Sequence, residues 1–178
     1  MKTKLKDTGF LNRREIEKSS LSLLTAVSGF LKTEKTDAYI VGGFVRDTLL
    51  GRQISDIDIA IAGDALSVGD GLAARLKGKF IVLDAKNNIG RIVFPEKTAL
   101  CLDLSSFTGT INDDLARRDF TINSLAFDIK NILGKNDELP IIDLFQGLSD
   151  LDQALIGAVG KNSLSADPVR LLRAVRFA

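Results

Sequence analysis

Asp56 and Asp58 stand two residues apart in the run Asp-Ile-Asp-Ile-Ala-Ile-Ala that spans residues 56–62. On a β-strand, alternate residues project from one face, so both carboxylates can grip one divalent cation or two. Two carboxylates this close repel one another, and a bound Mg²⁺ relieves that repulsion. Two solvated carboxylates on an exposed strand share this spacing. Ten residues before Asp56 stands Arg46, within Gly42-Gly43-Phe44-Val45-Arg46-Asp47. A strand that runs into a glycine pair and then a helix directs backbone N–H groups at whatever docks there, which suits a phosphate. The Gly-Lys-Ser/Thr of a P-loop is missing, and a plain strand–helix turn would look the same.

Three further groups extend the pattern. Asp103 faces the same way as Cys101 and Ser105, opposite Leu100, Leu102 and Leu104. If its strand lies beside 56–62, Asp103 completes a three-carboxylate cluster. In Arg117-Arg118-Asp119-Phe120-Thr121-Ile122-Asn123, adjacent arginines point to different sides of the chain. One can pair with an acid and leave the other for a ligand. Near the end, Asp167 is a good helix N-cap and Pro168 suits the first helical position. At 100° per residue, Arg170, Arg173 and Arg176 then fall on one face, opposite Leu171, Leu172 and Val175. Such a stripe either pairs with acids elsewhere or binds polyphosphate through bidentate hydrogen bonds.

These groups must be positioned by a compact α/β or α+β domain with a mixed sheet flanked by helices. Of the 178 residues, 45% are apolar, enough for a core that buries about 70% of the unfolded surface. The expected elements are a helix within 10–31, strands at 38–43 and 56–62, and helices at 44–50 and 65–76. Strands at 80–83, 89–94 and 100–105 follow, the second of them stopped by Pro95, then a helix at 112–117. Helix followed by strand is expected over 119–129, then a strand at 141–144 and a helix at 148–155. No apolar run approaches the roughly 18 residues of a membrane span, and the basic N-terminus lacks the apolar segment of a signal peptide. The expected location is the cytoplasm.

Composition narrows the chemistry. A single Cys101 excludes a disulfide framework, and the lack of any His excludes a His-ligated metal and the usual acid–base agent at neutral pH. Lys and Arg total 24 against 23 Asp and Glu, but residues 1–36 carry +4 and residues 37–178 carry −3. Aspartate with metal ions is therefore the expected toolkit.

Taken together, Gly-Gly-x-Val-Arg-Asp, Asp-x-Asp, Arg-Arg-Asp-Phe-Thr-Ile-Asn and Asp-Pro-Val-Arg-Leu-Leu-Arg-Ala-Val-Arg-Phe resemble one family, in order, from about Tyr39 to Ala178. It is that of the class II tRNA nucleotidyltransferases (CCA-adding enzymes) and bacterial poly(A) polymerases, within the DNA polymerase beta superfamily. Ile141–Leu151 is similar to the segment joining its head and neck. The resemblance implies a nucleotidyltransferase head at 37–145 and the start of a helical neck at 146–178; residues 1–36 lie outside it and are expected to form an N-terminal helical extension. The resemblance makes Asp56 and Asp58 the catalytic metal pair for two Mg²⁺ ions; Asp103, from its strand face alone, is the candidate third catalytic carboxylate. Gly43 and Arg46 match triphosphate contacts and Arg118 a nucleotide contact, and Gly42 joins them as the first residue of the phosphate-facing glycine pair. Asp167 and Arg170 match the base-reading pair, and Arg173 and Arg176 further nucleotide ligands.

The implied reaction is template-independent addition of AMP or CMP, from ATP and CTP, to the 3′ end of tRNA or another RNA. An Arg donates to adenine N1 or cytosine N3 and an Asp accepts from adenine N6 or cytosine N4, whereas guanine and uracil present the reverse pattern. Three departures stand out. Ala166 replaces the family's usual Glu before Asp167. The stretch between Asp103 and Asp113 lacks the Arg/Glu-rich loop of typical CCA-adding members. The RNA-holding helical body expected after the neck is missing, so the chain is expected to be part of a longer protein. A poly(A) polymerase, a glycosyltransferase that uses Asp-x-Asp with a nucleotide sugar, and an inactive nucleotide-binding module are the alternatives; the glycosyltransferase leaves the arginine helix unexplained.

Overall fold

The computed structural model describes residues 9–94, 100–161 and 163–177. In chain order, β1 (Phe10–Asn12) and α1 (Lys18–Thr33) lead to β2 (Ala38–Val41), α2 (Gly43–Leu49), β3 (Asp56–Ala62) and α3 (Ala65–Leu76). The hairpin of β4 (Lys79–Asp84) and β5 (Ile89–Val93) comes next, then β6 (Cys101–Phe107), α4 (Ile111–Ala116) and β7 (Leu125–Asp128). Short strands β8 (Glu138–Pro140) and β9 (Ile142–Asp143) precede α5 (Gly147–Asp152), α6 (Ser163–Ala166) and α7 (Val169–Phe177).

Seven strands form one mixed sheet in the order β4-β5-β6-β3-β2-β7-β9. β3 and β6 run parallel, and the other neighbouring pairs run antiparallel. The alternation in 56–62 sets the two faces of the centre. Ile57, Ile59 and Ile61 are fully buried in one core with Leu102 and Leu104 of β6, Leu24, Val27 and Leu31 of α1, and Leu72 of α3. Each such side chain contributes about 1.5–3 kcal/mol by leaving water. Asp56 and Asp58 are thereby committed to the opposite face, because a one-residue slip would bury two carboxylates and expose three isoleucines. Helix ends are set locally: Asp64 accepts the N–H groups of Leu66 and Ser67 at the start of α3, and Thr110 and Asp113 form a capping box on α4.

Some elements differ from expectation. Residues 10–12 are a strand, not the start of a helix, because Phe10–Asn12 pair with Glu138–Pro140. A 3₁₀ turn, Arg13–Glu15, then precedes α1. The expected helix after Asp119 is a single 3₁₀ turn, Thr121–Asn123, before β7. Pro95 and the side chain of Ala166 lie outside the described residues. Among the described residues, no helix is long and apolar enough to cross a membrane.

Candidate functional site

A cleft of about 940 Å³ opens on the aspartate face, and all eleven residues singled out above line it. Strand register builds its floor. Asp58 lies opposite Asp103 on β6, and Asp103 lies opposite Arg91 on β5. On the other side, Asp58 opposes Val41, the last residue of β2 before the glycine pair. At that turn Gly42 has φ +68, and an added Cβ would lie 3.0 Å from Arg118 Nη1 and 3.4 Å from Asp58 Oδ2. Only glycine combines that backbone with so close an approach of two functional groups. The Gly43 N–H is directed at the Asp58 carboxylate.

Burial pushes the Asp58 carboxyl above its ordinary range, and the neighbouring charges of Asp103 and Asp56 push it the same way, while Arg118 and the Gly43 N–H oppose the rise. Such a carboxylate gains most from a cation. Asp56 is more exposed and accepts a hydrogen bond from Ser55 Oγ at 2.6 Å. Two oxygen-donor side chains on one strand face fit Mg²⁺, which binds through one or two carboxylates and takes its other ligands from water and phosphate. The expected three-carboxylate cluster is not realised as a metal cage. Among the described residues, no three His, Cys, Asp or Glu side chains gather as one. Asp103 reaches the right place, but Arg91 Nε and Nη2 donate to its two oxygens at 2.6 and 2.7 Å. This fork holds the Arg91 proton more firmly than usual.

The arginines of the cleft are held by aspartates. Arg46 Nη2 and Nε donate to Asp47 at 2.7 and 3.0 Å, and its Nη1 donates to Asn123 Oδ1. Arg117 and Arg118 were expected to diverge, one paired and one free. Instead both use Asp114, Arg117 Nε on Oδ1 at 3.0 Å and Arg118 Nη2 on Oδ2 at 2.9 Å. Asp114 is buried, whereas Arg117 remains largely exposed. Arg173, expected to be kept for nucleotide, places Nε 2.8 Å from Asp119 Oδ2. That contact is an ion pair out of line for a hydrogen bond, since Asp119 Oδ2 has no hydrogen-bond partner among the described residues.

The last helix differs in a second respect. Asp167 caps it as expected, Oδ1 accepting the Val169 N–H at 3.0 Å. Arg170 does not face outward beside it. Its Nη1 donates to the carbonyls of Ser163 at 3.0 Å and Arg118 at 3.3 Å, and its Nη2 to that of Arg117 at 3.0 Å. The Phe177 ring has two guanidinium groups over it, Arg46 Cζ at 4.7 Å and Arg176 Cζ at 5.1 Å from its centroid. Sequence reasoning missed Arg91, Asp114 and Phe177. The placement of Arg91 depends on strand register, which leaves no local trace. Asp114 carried a signal, standing three and four residues before the arginines on a helix.

The sequence profile of the poly A polymerase head domain matches residues 38–157. The CC-adding tRNA nucleotidyltransferase of Geobacter sulfurreducens is 40% identical over 141 residues, covering 79% of this chain and 31% of that protein. The chain therefore spans about a third of the length of that relative. The solved Thermotoga maritima CCA-adding enzyme complexed with tRNA superposes with a TM-score of 0.81 at 34% identity, over 94% of this chain and 40% of the other. A CCA-adding enzyme solved in complex with ATP superposes with a TM-score of 0.82 at 33% identity, over 94% and 41%. Sequence, fold and cleft thus converge: the chain belongs to the poly A polymerase head-domain family.

Proposed function

We propose that the chain is the catalytic head, with the start of the neck, of a template-independent nucleotidyltransferase. It adds AMP or CMP from ATP or CTP to the 3′ end of tRNA and releases pyrophosphate. The observation that carries this reading is the meeting of Asp56 and Asp58, the Gly42–Gly43 turn and the arginines of α7 around one cleft. Asp56 and Asp58 would hold Mg²⁺, which when bound supplies charge neutralisation and a lowered pKa for the attacking 3′-hydroxyl. Nucleotide and Mg²⁺ suit the charge of the cleft, whose lining has seven arginines and seven aspartates. A polyanion entering this balanced site is best accommodated with its own cations.

The residues of the chain divide the remaining work. Arg118 lies against the glycine turn, where it meets phosphate oxygens without leaving Asp114, because a guanidinium carries five donors. Arg46, closed in by Asp47, Asn123 and Phe177, fixes the turn from behind and neutralises phosphate charge at short range. Asp167 offers an acceptor for the exocyclic amine of adenine or cytosine. Arg170 supplies the adjacent donor once it releases a backbone carbonyl, so base reading is coupled to the link between α7 and the Arg117–Arg118 backbone. Nothing here needs His.

A poly(A) polymerase would use the same head and differ in its RNA. Incubating the full-length protein with tRNA transcripts lacking CCA, tRNA lacking only the final A, and an unrelated RNA, with ATP and CTP, separates the readings. Pyrophosphate release and one to three added nucleotides on tRNA alone are expected. Long adenylate tails on unrelated RNA would favour the polymerase, and no release with any RNA would overturn both.

A further inference from the structure

Arg91 lies in none of the motifs that stand out in the sequence, yet it closes one end of the aspartate row. Its fork on Asp103 is bidentate, at 2.6 and 2.7 Å, and its Nη2 also lies 3.4 Å from Asp56 Oδ1. One guanidinium therefore touches carboxylates on two adjacent strands, β3 and β6, beside Asp58. Charge-assisted bidentate contacts of this kind are the strong class of hydrogen bond. A metal ion drawing all three acids together would need the oxygens that Arg91 now occupies. Arg91 is only partly buried, its side chain 35% exposed, so it is a cation at the wall of the cleft and not a sealed internal pair.

We infer that Arg91 is a built-in counter-cation of the aspartate row: it neutralises Asp103, restrains Asp56, and keeps free divalent cations weakly bound until nucleotide supplies further ligands. The inference rests on the reading of Asp56 and Asp58 as the metal pair. Two effects of Arg91 act in the same direction. Its positive charge repels a nearby dication, and its fork withdraws the charge of Asp103 from the site. Removing Arg91 reverses both and leaves a third carboxylate beside Asp58, a like-charge cluster that a cation relieves. Arg91 is thus a positioning residue that acts through Asp103.

Titration of the metal-free protein with Mn²⁺ alone, followed by electron paramagnetic resonance, tests this. Arg91→Gln is expected to bind Mn²⁺ roughly tenfold more tightly or better, the scale of one pKa unit from a neighbouring charge. Adding Asp103→Asn should cancel most of that gain, a coupling that a merely structural role for Arg91 would not produce. Unchanged or weaker Mn²⁺ affinity in folded Arg91→Gln overturns the inference. Asp58→Asn is the control for the underlying reading: if it leaves wild-type Mn²⁺ binding intact, the metal pair itself is misassigned. Where Arg91→Gln fails to fold in chelator, Mn²⁺ is expected to restore the fold by replacing the lost cation. Failure of Mn²⁺ to do so also overturns the inference.

Discussion

The aspartate row and α7 line the same cleft but are held in opposite ways. Behind Asp56 and Asp58 stand Ile57, Ile59 and Ile61, all at 0% exposure, within a sheet paired on both sides. No residue of α7 is buried, and Leu172 and Val175 are 73% and 77% exposed. α7 is held by a few directed contacts, Arg170 on three carbonyls, Arg173 on Asp119 and Phe177 edge-on against Phe120 at 5.9 Å, with Ala174 packed on the small Phe120–Ile122–Leu151 cluster. Carboxylates that must keep a fixed spacing thus sit where the backbone cannot yield. The residues proposed to read the base sit where it can.

The largest expected effect falls on the rigid side. Asp58→Asn or Asp56→Asn in the full-length enzyme should reduce nucleotide incorporation by about 10³-fold or more, the scale of losing a principal electrostatic group. The fold should survive, because neither side chain fills the core, and easing the repulsion with Asp103 favours the metal-free protein. Near-normal incorporation with Mg²⁺ present would break the assignment. Asp114→Asn ranks second. It leaves Arg117 and Arg118 with a neutral partner at a buried position, and breaking such a pair costs about 3 kcal/mol. Urea unfolding should show this as a lower midpoint with an unchanged slope. An unaltered midpoint would mean that the arginines hold themselves in place.

A smaller effect follows from the raised pKa of Asp58. The folded protein holds this proton more tightly than the unfolded chain does, so the proton's contribution to stability is fully present below the ordinary carboxylate value of 3.8. It is lost as pH rises through the raised value. Melting temperature in chelator should therefore fall over that window through this site. Asp58→Asn should remove that component while leaving those of the other carboxylates. Identical pH profiles for the two proteins would place Asp58 in a more solvated position.

The same contrast governs what the sequence made legible. Asp56–Ala62 could be read because alternation reports a two-sided strand locally, and β3 spans those residues. α3 spans Ala65–Leu76 as expected, its start fixed locally by Asp64. The failures are non-local. Phe10–Asn12 became a strand only through β8, more than a hundred residues away, and nothing within 10–12 announces that partner. Arg91 resembles any surface arginine until β5 is laid beside β6 in register. The motifs singled out the arginines without revealing that Asp114, Asp119 and Asp47 engage them, because side-chain pairing is decided by the assembled fold.

The subtlest prediction lies on α7. Asn and Asp are near-equal N-caps, so Asp167→Asn should leave the Val169 N–H satisfied and the melting temperature nearly unchanged. It replaces an obligate acceptor with an amide that can also donate. A donor at this position suits the carbonyl that uracil or guanine presents where cytosine or adenine presents an amine. Discrimination against UTP and GTP should therefore relax, while incorporation of ATP and CTP falls modestly. The position of Arg170 adds a second expectation. Because its guanidinium is engaged with the carbonyls of Arg117, Arg118 and Ser163, Arg170→Lys should disturb both base choice and the seating of α7, whereas Asp167→Asn should disturb base choice alone. Single-nucleotide incorporation of all four triphosphates by the wild type and the two variants of the full-length enzyme, read beside their melting temperatures, makes the distinction. Unchanged base preference in Asp167→Asn would reduce Asp167 to a helix cap, and α7 would then choose the base through some other residue or not at all.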